Sequence, residues 1–120
     1  MEFLDDRIWT PIHTLPGFEC CIEYFVNKQG QVMSTKGKSD RILKPRINRK
    51  GYAQVNLTQR LGRQKPITAL VHKLVALAYL PPPSLPPGRL SGQSRVIHLD
   101  GNRSNNDLAN LKWTKIEERT

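Results

Sequence analysis

Residues 96–113 read VIHLDGNRSNNDLANLKW. A short apolar run ends on His98, and the next dozen positions hold Asp100, Gly101, Asn102, Asn105, Asn106 and Asn110. Aspartate and asparagine favour turns because their side chains bond nearby backbone groups. The reading is therefore a strand, RVIHL, a long polar loop, and a return strand, LKWT. So many amides beside one histidine imply that the histidine is being held in place. Past the return strand, Thr114-Lys115-Ile116-Glu117 matches a capping box and predicts a short final helix of about two turns.

Working backwards, residues 81–94 are too rich in proline and glycine to form an element and read as a linker. Before it, TALVHKLVALAYL (68–80) predicts a helix. Val71, Leu74, Val75 and Ala78 recur at i, i+3, i+4 and i+7 to make one buried stripe, and Pro81-Pro82-Pro83 stops the ladder. His72 lies off that stripe and reads as structural. In Tyr52–Leu57, Ala53, Val55 and Leu57 alternate with Tyr52, Gln54 and Asn56, the period of a half-buried strand. Residues 22–34 predict a hairpin, IEYFVN and QVMS around a glycine-containing turn.

Composition narrows the class. The 120 residues suit one domain or two small units with a modest core. Hydrophobic content is 38%, and nine prolines interrupt the chain. The formal charge is +9, and it is concentrated: Lys36 to Lys73 contains eleven basic residues and one acid, Asp40. Such clustering is the footprint of a nucleic-acid binder, because a cation placed on a phosphate releases condensed counterions. The polar strand face of Tyr52, Gln54 and Asn56, flanked by Lys44, Arg46, Arg49 and Lys50, is the expected DNA-contacting surface, with Arg103 joining from the loop. Aromatic content of 7% makes single-stranded RNA a weaker partner, since its readers rely on stacking. Cys20 and Cys21 are adjacent, lack a second pair at zinc-ligand spacing, and read as reduced thiols. No apolar run has the length of a membrane span, so no membrane partner is expected.

Six segments together resemble the HNH endonucleases of phages and mobile elements that carry an N-terminal NUMOD-type DNA-binding module. They are Trp-x-Pro-Ile at 9–12, PGFE at 16–19, YFVNKQGQVMS at 24–34, GYAQVNL at 51–57, VHKLVALAYLP at 71–81 and HLDGNRSNNDLANLKW at 98–113. The resemblance implies an α+β fold, with a small antiparallel sheet module plus helix followed by a ββα-metal unit. It divides the chain into a module at 1–65 and a nuclease domain at 66–120. The implied substrate is double-stranded DNA, and the implied place of action is the cytoplasm of a bacterial or phage-infected host cell. His98 takes the role of general base, and imidazole suits it because it titrates close to neutral pH. Asn110 is the central asparagine that ties the loop and orients the histidine. Asp100, Gly101 and Asn106 organise the loop, with Asn102 and Asn105. One divalent cation, Mg²⁺ or Mn²⁺, completes the implied chemistry.

Two positions depart from the family pattern. Ile97 stands where relatives often carry a metal-binding Asp or Asn, and Arg119 falls where a second ligand is expected. These leave the metal ligands unknown. They also support an alternative, a DNA-binding protein whose catalysis is impaired.

Overall fold

The computed structural model describes residues 9–60, 65–83, 87 and 93–116. These form three small antiparallel sheets around one helix. The first sheet has the order β1 (Thr10–Pro11), β2 (Tyr24–Val26), β3 (Val32–Ser34) and β4 (Arg41–Ile42). The second joins β5 (Arg46–Ile47), β6 (Ala53–Leu57) and β7 (Ile67–Leu70). The helix α1 (Val71–Tyr79) follows directly, and β8 (Ser94–His98) pairs with β9 (Leu111–Lys115) as a two-stranded ribbon.

The 22–34 hairpin forms as its pattern predicts, with Tyr24 opposite Ser34 and Val26 opposite Val32. Its turn is wound around buried Asn27, whose Oδ1 accepts from the amides of Gln29 and Gln31. In β6, Ala53, Val55 and Leu57 are buried while Gln54 and Asn56 are not. Arg46 lies opposite Gln54, and Thr68 opposite Asn56, so all four share the polar face of the sheet.

Three expectations are corrected. The helix does not begin at Thr68: residues 67–70 are strand β7, paired with β6, and α1 starts at Val71. Ladder bonds to β6 outweigh the helical spacing, which the apolar residues Ala69 and Leu70 merely happen to extend. Thr114 does not cap a helix either; it lies in β9 opposite Arg95, and the pairing continues with Ile116 N–H donating to the Gln93 carbonyl. Glu117, Arg119 and the final helix lie outside the described residues. The linker expected over 81–94 ends early, because Ser94 opens β8 and bridges Pro87.

One apolar core binds the sheets together. Tyr24, Val26 and Val32 from the first sheet, with Ile12 from the short 3-10 turn after β1, meet Val55 and Leu57 from the second, Leu74 and Val75 from the helix, and Leu111 from the ribbon. The boundary expected at 65/66 falls between two strands of one sheet, so a common core spans it. Tyr79 fastens the helix to the first sheet by donating to the Val26 carbonyl at 2.7 Å. The helix is buried on a wider arc than its predicted stripe: His72 and Ala76 are covered as well, because β8 and β9 pack against α1 in addition to β6 and β7. Neither Cys20 nor Cys21 forms a disulfide. Cys21 sits in the core, where burial foremost, then its neighbours Cys20 and Glu19, push its thiol upward in pKa.

Candidate active site

The ribbon fixes His98. It ends β8 opposite Leu111, and strand alternation puts it on the same face as Val96, which packs on the core. That face meets α1. The His98 ring lies 4.9 Å from His72, and His72 is stacked at 4.9 Å on Tyr52. The guanidinium of Arg103 covers the Tyr52 ring at 4.8 Å. Three distant segments thus build one cluster, in which the rings of Tyr52, His72 and His98 all touch one another and Arg103 covers Tyr52.

This cluster alters two readings of the sequence. Tyr52 is half-buried against the two histidines and Arg103, so it supports the site rather than standing free on the basic face. His72 is 7% exposed and packs in the core as expected, but its ring also lies on His98. Its Nδ1 is buried with no hydrogen-bond partner. Burial, then the nearby His98 and Lys73 charges, push its pKa down to about 4. It therefore presents a neutral ring to His98 at pH 7. No sequence periodicity points to this contact; only the Tyr52 and His72 ring types hint at it.

The loop after His98 is a closed network. Asn110 is nine-tenths buried and does the tying: its Nδ2 donates to Asp100 Oδ1 and the Asn105 carbonyl, and its Oδ1 accepts from the Asp100 amide. Asp100 also accepts from the Asn102 amide and from Asn105 Nδ2. Those bonds, with Asn105 the largest contributor, hold its carboxyl below the usual carboxylate range. Gly101 closes the turn with φ +77°, donating its N–H to the His98 carbonyl.

The side chain on His98 is Asn106. Its Oδ1 lies 2.8 Å from His98 Nε2. A carbonyl oxygen only accepts, so the neutral ring carries its proton on Nε2 and its lone pair on Nδ1. The sequence presents Asn106 as one loop-holder among several and Asn110 as the orienting residue. The geometry gives loop-tying to Asn110 and the contact with His98 to Asn106.

The basic residues lie to one side. Lys44, Arg46, Arg49 and Lys50 are exposed. Beside Tyr52 opens a cleft of about 640 Å³ lined by Asn48, Arg49, Lys50, Tyr52, Thr68 and Lys73. Nothing in the sequence pattern singles out Lys73 and Thr68, and only the joining of β7 to β6 brings them to this cleft. Gln54 Oε1 accepts from Asn48 Nδ2, and Asn56 Oδ1 from the Thr68 hydroxyl, so both amides are partly engaged within the sheet. Arg103 donates to the Lys50 carbonyl besides covering Tyr52, which anchors the loop to the β5–β6 turn.

The donor set of the described residues does not fit a Mg²⁺ or Mn²⁺ cage. Among the described residues no three carboxylate, imidazole or thiol groups converge. Ile97 supplies no donor atom, both Asp100 oxygens accept from the loop, and Asn110 Oδ1 is bonded to backbone. Arg119 lies outside the described residues.

Comparison with known proteins agrees with this architecture. Residues 8–58 match the NUMOD4 motif. Two uncharacterised HNH endonucleases of Acanthamoeba polyphaga mimivirus are similar: one is 34% identical over 91 residues, the other 40% over 90, each across 75% of this chain. The chain spans only 24% and 20% of their lengths. A solved structure of DNA binding and cleavage by the HNH homing endonuclease I-HmuI superposes with a TM-score of 0.62 at 33% identity, covering 90% of this chain and 52% of that one. No helix among the described residues is long and apolar enough to cross a membrane. The NUMOD4 match, the viral relatives and the shared fold agree: over the part it spans, this chain is similar to HNH homing-type endonucleases, and it carries a NUMOD4 motif.

Proposed function

We propose that this chain hydrolyses phosphodiester bonds in double-stranded DNA, with His98 as the general base. The observation that carries the reading is the Asn106–His98 bond. It occupies Nε2 and leaves the Nδ1 lone pair to take a proton from an attacking water. The neutral ring of His72 behind it adds no competing charge. The exposed Lys44, Arg46, Arg49 and Lys50 meet phosphates, and the duplex crosses the Arg49–Lys73 cleft on its way to His98. The division into residues 1–65 and 66–120 is then one of roles, binding and chemistry, on a common core. The family resemblance supports the cytoplasm of a bacterial or phage-infected cell as the place of action.

A second reading is favoured by one observation, the missing cage around Ile97: a protein that holds DNA without cutting it. Supercoiled plasmid distinguishes the two. Incubation with Mg²⁺, with Mn²⁺ and with EDTA, beside the His98→Ala protein, gives open circles dependent on His98 under the first reading. Intact plasmid retarded at low salt, with either metal, supports the second. Conversion that His98→Ala leaves untouched removes His98 from the mechanism.

A further inference from the structure

We propose that Gly30, in the β2–β3 turn, is a positioning residue for His98 and acts through Asn106. The inference rests on the reading of His98 as the base, and adds that the NUMOD part of the chain sets the geometry of that base.

The observation is a close approach. A Cβ built on Gly30 would lie 2.8 Å from the Asn106 carbonyl oxygen, 2.9 Å from its Cβ and 3.2 Å from its carbonyl carbon. Ordinary contacts begin near 3.4 Å. All three atoms belong to the backbone or its first branch, so no flexible chain end can swing aside. Gly30 also has φ +85°, a conformation that side chains rarely adopt.

The turn is the stiffer partner. Asn27 is 2% exposed, and it bonds the amides of Gln29 and Gln31 through Oδ1, the Gln31 side chain through Nδ2, and the Gly30 amide through its carbonyl. The loop rests on this turn a second time, where Leu108 N–H donates to the Lys28 carbonyl at 2.8 Å. A methyl at Gly30 therefore moves Asn106 rather than the turn. Asn106 is 6% exposed and holds His98 Nε2 at 2.8 Å. Restoring ordinary contact demands a shift of about 0.6 Å, and a displacement of that size along the bond carries it past the usual ~3.2 Å limit. The missing side chain at Gly30 is thus what seats the amide that fixes the ring.

Gly17 supplies the control. Its φ is +89°, and a Cβ there meets nothing within 4 Å. Gly17→Ala carries the backbone strain without the close approach; Gly30→Ala carries both.

The test compares these proteins with Asn106→Ala and with Gly30→Ala/Asn106→Ala. Two signals are read: plasmid nicking rate at saturating DNA, and the exchange-protected His98 Nε2–H resonance in ¹⁵N-edited NMR. Expected is loss of that resonance in Gly30→Ala with nicking slowed about tenfold or more, while DNA affinity stays within about twofold. Gly17→Ala keeps the resonance and the rate. Adding Gly30→Ala to Asn106→Ala slows nicking no further, because the path to His98 is already cut. Retention of the resonance in Gly30→Ala overturns the proposal, as does additivity in the double variant. An unfolded Gly30→Ala beside a folded Gly17→Ala also overturns it, assigning Gly30 to holding the fold. If the wild type does not nick DNA, the proposed function fails while the NMR signal still tests the Gly30–Asn106–His98 linkage.

Discussion

The loop at 99–110 and the basic turn at 44–50 lie side by side, joined by Arg103, and are built on opposite terms. In the loop the side chains of Asp100, Asn102, Asn105, Asp107 and Asn110 bond other parts of the loop, and Asn110 is buried with three hydrogen bonds to Asp100 and Asn105. At the turn, Lys44, Arg46, Arg49 and Lys50 stand exposed. Proton abstraction demands a base fixed within hydrogen-bond reach of its target. Phosphate binding demands only charge at roughly the right place, since the released counterions drive it. Under the proposed function, the contrast separates a part made rigid for chemistry from a part left free for attraction.

The largest expected break is His98→Ala. It should slow nicking by about 10²–10⁴-fold, the usual contribution of a positioned base, while gel-shift affinity stays near wild type. A parallel fall in affinity would merge the two regions. The converse change, Arg46, Arg49 and Lys50 together to alanine, should weaken binding by a factor that itself shrinks a few tens-fold as salt rises from about 50 to about 200 mM. The slope of log K against log salt should flatten by up to about 2.7, near 0.9 for each phosphate no longer neutralised. An unchanged slope would remove that turn from the DNA path.

A smaller effect tests the ring cluster around His98. His72 is depressed to about 4 in the fold, against about 6.5 in an unfolded chain. Between those values the unfolded chain holds the extra proton, so stability is complete above about pH 6.5 and falls as pH drops toward 4. The slope contributed is at most about 1.4 kcal/mol per pH unit. Urea unfolding at successive pH values should show it, and His72→Phe should flatten it. Smallest is Arg103→Ala. Removing the exposed guanidinium from the Tyr52 ring should lower stability by about 0.5–1 kcal/mol in the same urea assay.

Much of this was legible in the chain because it is local. The alternation of Ala53, Val55 and Leu57, the hairpin at 24–34, and the stripe of Val71, Leu74 and Val75 depend on neighbours a few positions apart. The asparagines after His98 announced a self-bonded loop for the same reason: Asp100 finds Asn102 and Asn105 within five residues. Family likeness then added the role of His98.

What the sequence determined by itself was therefore the set of short elements, the place of the charge, and the histidine with its loop. Tertiary structure decided which partners those pieces found. It made 67–70 a strand, because β6 offered a ladder that helical spacing does not reveal. It chose Asn106 over the other loop asparagines as the residue on His98, set His72 against the ring from far upstream in the chain, and seated the loop on Gly30. Such choices turn on the shape of a shared core and on how closely its parts approach, and neither periodicity nor composition carries that information.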